Sequence, residues 1–229
     1  MILIIGLLAP TPEQRDQNST PEQQEQIKDI ISKFKEGNKE LSSEQEQWLY
    51  DNEAPAYGTT SPEIKIVEFF SFTCPGAAQM HDTVREIGIK YEDQVNIQFR
   101  HFPTDEEGIE YSLAAECAHQ QDKFWSMYDK LFQNRNNITS EDLFSLARQT
   151  GADMTQFNQC LQEEETLQKI REDMQQGEQL GVKGSPTTYI NGYRIEKPIP
   201  REIFMGIVGH ILEADKKSEN TILTPKRKP

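Results

Sequence analysis

Val67-Glu68-Phe69-Phe70-Ser71-Phe72-Thr73-Cys74-Pro75-Gly76-Ala77 is the stretch on which the fold reading turns. Its apolar run lacks clean alternation, as a strand buried on both faces should. It ends at a helix start, where Pro75 suits a first turn because the missing N–H would have no partner there. Cys74 therefore stands at a helix N-terminus, where free N–H groups and the dipole favour an anion and hence a thiolate nucleophile. The alternative is an inert buried cysteine. Gly76 lets the backbone approach a bound sulfur closely. Ala77 occupies the position where a dithiol catalyst needs its second cysteine. A chain reading Cys-x-x-Ala can form a mixed disulfide, but its own helix holds no thiol to resolve it.

Working outward, Ile64–Phe70 reads as the central strand and Gly76–Tyr91 as the helix after it. Val95, Ile97 and Phe99 alternate with polar neighbours and make a second strand. Helices are expected over Gly108–Gln133, from Thr139 to a stop at Gly151, and over Met154–Leu180. Strands return at Thr187–Ile190 and Tyr193–Ile195, and a last helix runs from Pro200 to Ala214. The order β-α-β, helices, β-β-α points to an α/β domain, a thioredoxin-like fold with an inserted helical subdomain. Upstream, Ile27, Ile30, Ile31 and Phe34 form a narrow helical stripe, and Ser43–Tyr50 reads as a short helix with Trp48 and Leu49 as docking residues. These helices either pack on the domain or a partner, or form a membrane-proximal stalk.

The resemblance rests on several matches in order. Glu68-Phe-Phe-Ser-Phe-Thr-Cys-Pro resembles the active-site strand and turn of the DsbA family of thiol-disulfide oxidoreductases. Gly181-Val-Lys-Gly-Ser-Pro-Thr-Thr-Tyr-Ile-Asn-Gly192 resembles that family's cis-proline loop. Ala114–Ala118, Lys123-Phe124-Trp125 and Phe157–Leu161 resemble its helical insert. The similarity covers roughly Glu63 to Glu213.

The resemblance implies a role for Glu68 as a buried acid that relays protons near the thiol; the alternative is an edge-exposed Glu that only solvates the strand. It implies a cis Ser185–Pro186 bond beside Cys74, with Pro75, Gly76, Ser185 and Pro186 meeting an extended substrate chain; an ordinary trans turn is the alternative. Many members carry a histidine where Gly76 stands, so the thiolate here has less help. Cys117 and Cys160 lie in two helices of the insert. They are either two buried free thiols or a structural disulfide, which would add about 4 kcal/mol through the loop it closes and imply an oxidising compartment.

Length and composition bound the rest. The chain has 229 residues, three cysteines and a formal net charge of −14. That charge excludes a nucleic-acid partner, which needs clustered Lys and Arg. The expected organisation is an apolar stub over 1–10, a polar linker with short helices over 11–58, the DsbA-like domain over 59–215 with its insert at about 106–180, and a tail over 216–229. Met1–Leu8 is far shorter than the roughly 20 apolar residues of a membrane span. It is either the remainder of a longer signal-anchor or a stub of no consequence. His81 reads as packing or surface. His101, His119 and His210 show no metal-ligand spacing, and no cofactor is implied. Phe124, Trp125, Tyr128, Leu131 and Phe132 recur at helical spacing and read as core rather than as a cofactor box.

The expected function is thiol-disulfide exchange on cysteines of protein substrates, through a mixed disulfide at Cys74, outside the cytoplasm and with an N-terminal tether. A membrane redox partner is a further candidate partner. Ala77 is either native or a replacement of a cysteine. The alternative is a redox-inactive binding or chaperone-like module on the same fold; a third reading is glutathione-dependent chemistry.

Overall fold

The structure, a computed structural model, describes residues 20–36, 41–50, 53–135 and 138–222. The apolar stub Met1–Leu8 and the basic residues Lys226-Arg227-Lys228 lie outside them. The chain divides into two compact units, one of residues 1–36 with 200–229, the other of 37–199.

The second unit carries the sheet. Strands β1 (Ala56–Gly58), β2 (Ile64–Phe70), β3 (Val95–His101), β4 (Thr187–Ile190) and β5 (Tyr193–Ile195) lie in the order β1-β3-β2-β4-β5. β2 runs parallel to β3, while β1, β4 and β5 each pair antiparallel to their neighbour. A parallel pair needs a crossover, and helix α3 (Pro75–Lys90) supplies it. The full burial of Ile66, Val67, Phe69 and Phe70 explains why β2 lacks polar alternation. Five helices follow β3: α4 (Glu106–His119), α5 (Phe124–Asn134), α6 (Ser140–Gln149), α7 (Met154–Cys160) and α8 (Glu164–Leu180).

Period two divides β2 between two cores. Phe70, with Phe72 and Phe99, enters a cluster with Tyr128, Phe132 and the insert residues Leu143, Leu146 and Phe157. Ring contacts such as Phe70–Phe132 at 5.4 Å and Phe70–Tyr128 at 5.7 Å hold the insert to the sheet. Val67 and Phe69 face the other way, against Leu180, Val182, Tyr189 and Leu49. Leu49 belongs to helix α2 (Ser43–Leu49), so that helix docks on the domain through a fully buried side chain. Beneath it, buried Arg100 donates to Asp173 at 2.9 Å and also to the Trp48 carbonyl and Gln176, tying β3 to α8.

In the other unit, α1 (Pro21–Glu36) packs on α9 (Arg201–Ile222). A Cβ on Gly206 would sit 2.4 Å from Ile27 Cδ1, so the absent side chain permits the approach.

Periodicity reads the insert as longer helices than it contains. The expected helix over 108–133 breaks at 120–123, where Asp122 adopts φ 58°. There the Gln121 side chain accepts from Asp153 N at 2.7 Å and donates to its carbonyl. The Asp153 carboxylate in turn caps α7 through Thr155 N and Gln156 N. The expected helix over 154–180 breaks after Cys160, whose carbonyl accepts from Thr166 Oγ1 at 3.0 Å. Both breaks come from partners distant in sequence or from side-chain caps, which apolar spacing does not report. Strand β1 has no counterpart in the sequence reading. Gly58 ends it at φ 102°, where a Cβ would lie 2.1 Å from the Val95 carbonyl oxygen.

Candidate active site

Cys74 is the N-cap of α3, in extended conformation. Its carbonyl accepts from Ala78 N at 3.1 Å and its own N–H donates to Ser71 O at 3.1 Å. The thiol donates to the Ser185 carbonyl at 3.2 Å. The Ser185–Pro186 peptide bond is cis, and the Ser71 N–H donates to Ser185 Oγ at 2.8 Å. Two segments more than a hundred residues apart in the chain are thus joined through Ser185, at Ser71 and at the sulfur.

The turn that aims Cys74 has its own scaffold. Ser71 Oγ and Thr73 Oγ1 lie 2.7 Å apart, and Thr73 Oγ1 donates to the Asp105 carboxylate at 2.9 Å. Asp105 also caps α4 by accepting from Gly108 N at 2.6 Å. Gly108 has to be small, since a Cβ there would meet Ser71 Oγ at 2.6 Å. One carboxylate therefore couples the first helix of the insert to the cysteine turn. Sequence reasoning missed Thr73 and Asp105 as site residues. Asp105 sits three residues before Gly108 as a cap signal, but nothing local links it to position 73.

Cys74 is partly buried, and it is the free cysteine of the chain; Cys117 and Cys160 form a disulfide across a separation of 43 residues, with a Cα–Cα distance of 5.6 Å. Those two sulfurs lie in the insert core and do not meet Cys74. Ala77 is 4% exposed, facing Phe70 and Phe72 on the inner side of α3. Gly76 lies against two prolines, with an added Cβ 2.7 Å from Pro198 Cγ and 3.0 Å from Pro186 Cδ. A histidine at this position has no room in the present arrangement.

Glu68 is 4% exposed, which excludes an edge position. It sits mid-strand between Phe99 of β3 and Thr188 of β4, on the face of β2 that carries Phe70. Burial pushes its carboxyl up from 4.5 to about 8. The Tyr128 phenol is pushed up too, first by burial and then by the Glu68 charge.

His81 packs within that region, stacked on Tyr128 and bonded to Asp82 at 2.9 Å and Asp129 at 3.1 Å. His101 is buried against Glu116 at 3.1 Å. No group of three metal-ligating side chains exists among the described residues.

The thioredoxin-type sheet with its helical insertion thus presents one thiol at a helix N-terminus, against the loop that holds the cis Ser185–Pro186 bond. The family model described as Thioredoxin matches residues 50–209. The chain belongs to the thioredoxin family, in its DsbA-like form. A probable disulfide bond formation protein D from Bacillus cereus is 30% identical over 176 residues, 71% of this chain and 78% of that protein. The Na(+)/H(+) antiporter NhaA 1 of Mycolicibacterium vanbaalenii is 26% identical over 146 residues, 62% of this chain. The chain spans about a quarter (24%) of that relative's length. Among solved structures, a periplasmic thioredoxin-like protein from Salmonella enterica serovar Typhimurium superposes with a TM-score of 0.67 at 22% identity, over 76% of this chain and 99% of that one. At that identity the likeness concerns the fold.

Proposed function

We propose that this protein exchanges thiols and disulfides with cysteine-containing protein substrates, through a mixed disulfide at Cys74 and without a second active-site thiol. The observation that carries this reading is the Cys74 thiol, the free one of three, set at the start of α3 and 3.2 Å from the Ser185 carbonyl. The Cys74 thiolate attacks one sulfur of a substrate disulfide. A new S–S bond forms, the old one breaks, and the departing thiolate takes up a proton. The number of disulfides is unchanged, so this step needs no outside oxidant. Release requires a second thiol from outside the helix, because Ala77 offers none.

Glu68, raised to about 8 by burial, is suited to hold a proton near neutral pH and to pass it as sulfur charges change. Ser185 and Pro186, with Pro75 and Gly76, form the surface against which an extended substrate segment lies. The Cys117–Cys160 bond supports a location outside the cytoplasm, where disulfides persist. Among the described residues no helix is long and apolar enough to cross a membrane; the proposed tether is the apolar stretch at residues 1–10. A second reading, a binding module that has lost dithiol turnover, draws on Ala77.

The deciding experiment is incubation of the purified protein with a peptide disulfide, followed by intact-mass and peptide-level spectrometry. An adduct on Cys74 that Cys74→Ser abolishes supports exchange. An unmodified Cys74 under conditions that modify a free thiol hands the fold to the binding-module reading.

A further inference from the structure

Gly76 marks where a neighbouring loop leans over the active site. Cys74 Sγ, Pro186 Cδ and Pro198 Cγ all lie within 3.7 Å of one point, the position a Cβ on residue 76 would occupy. Pro198 comes from the segment after β5, more than a hundred residues from Cys74 and just beyond the β4–β5 hairpin that follows Pro186. Its placement is anchored next door, where Ile199 is buried and its N–H meets Met80 Sδ of α3 at 3.3 Å. Pro198 itself is exposed, so its ring presents a surface to whatever approaches the sulfur. A pyrrolidine ring is rigid and has no N–H to offer, so the wall is apolar and cannot swing aside by rotamer change.

We infer that Pro198 is a specificity-determining residue, forming with Pro186 a narrow apolar slot over Gly76 that admits cysteines flanked by small residues in extended segments and disfavours bulky flanks. This rests on Cys74 being the attacking thiol. The slot explains why residue 76 is glycine: the space a side chain would take from position 76 is filled from position 198 instead. Selectivity is therefore transferred from the active-site helix to the loop after β5.

Two extended nine-residue peptides test it, each carrying one cysteine as a mixed disulfide with thionitrobenzoate, flanked by glycine in one and tryptophan in the other. Attack by Cys74 joins its sulfur to the peptide cysteine and expels coloured thionitrobenzoate, so both rates are read from one chromophore. The wild type should favour the glycine peptide. Pro198→Ala should raise the tryptophan-to-glycine rate ratio by about fivefold or more, the scale of a modest steric clash relieved. An unchanged ratio overturns the inference. Gly76→Ala gives an independent arm: it should lower thermal stability and depress the ratio, and Gly76→Ala with Pro198→Ala should recover stability. Strictly additive stability losses would mean Pro198 does not fill that space, and the slot is lost. Failure of the wild type to release thionitrobenzoate from either peptide instead removes the Cys74 reading itself, a result distinct from a ratio that does not move.

Discussion

Cys74 and the Cys117–Cys160 pair touch the same aromatic cluster, yet they are built for opposite purposes. The paired sulfurs lie among Ala114, Leu143, Leu146 and Phe157, 0% and 4% exposed, beyond reach of a partner. Cys74 rests on the edge of that cluster, capped by no side chain, with its sulfur turned to a backbone carbonyl. The same element is inert where packing surrounds it on every side and available where a helix begins at the surface. The difference is one of position, not of residue type.

The largest effect that sharpens this contrast is loss of exchange. Cys74→Ser should abolish mixed-disulfide formation altogether while leaving the urea unfolding midpoint near that of the wild type. Removing the other site should do the reverse. Cys117→Ala with Cys160→Ala opens a loop worth about 4 kcal/mol in the chain-entropy account, so the unfolding midpoint should fall steeply while folded protein still labels at Cys74. A variant that lost labelling as well would show that the two sites are not separable.

Glu68 gives the next effect. Its carboxyl ionises near 8 when folded and near 4.5 when exposed. The folded chain therefore keeps a proton that the unfolded chain releases between those values. The contribution of Glu68 to stability is fullest below 4.5, falls as pH rises through the window, and is lost above 8. The loss reaches about 3 kcal/mol near neutrality, as an order of magnitude. Glu68→Gln should flatten that fall, which unfolding midpoints measured across the window would record. Parallel wild-type and variant curves would remove Glu68 as a buried, protonated acid.

Glu116 runs the other way. Burial alone would raise its carboxyl, but the hydrogen bond and charge of His101, with His119 and Lys169 further off, hold it below its usual value. Its contribution is present above the ordinary carboxylate range and fades in acid.

The smallest expected effect is at Asp105. Asp105→Ala removes the acceptor of both Gly108 N and Thr73 Oγ1. It should cost about 1 kcal/mol as a lost helix cap, and it should alter the Cys74 alkylation rate because the turn loses its brace. A stability loss with an unaltered rate would leave Asp105 as a cap and nothing more.

The central strand, the crossover helix and the cysteine at its start could be read locally, because an uninterrupted apolar run, a first-turn proline and an N-terminal thiol are all written within eleven consecutive residues. The insert could be read as helical but not as five helices. Its breaks depend on Gln121 meeting Asp153, a contact that exists only after the chain has folded back, and on the Thr166 hydroxyl donating to the Cys160 carbonyl, a side-chain bond that apolar spacing does not report. The burial of Glu68 was open in the sequence, since a carboxylate in a strand suits an edge as well as a core; pairing on both sides by β3 and β4 decides it.

By itself, then, the sequence determined the central strand, the helix after it, the order of the main sheet elements other than β1, the nucleophile candidate and the absence of a partner thiol at Ala77. These depend on near neighbours: strand period, helix start and the spacing of two positions on one helix. Tertiary structure decided which cysteines are bonded, what braces the Cys74 turn and what fills the space above Gly76. Those outcomes bring together residues 71, 105, 185 and 198, and no local pattern encodes a distance between segments that far apart along the chain.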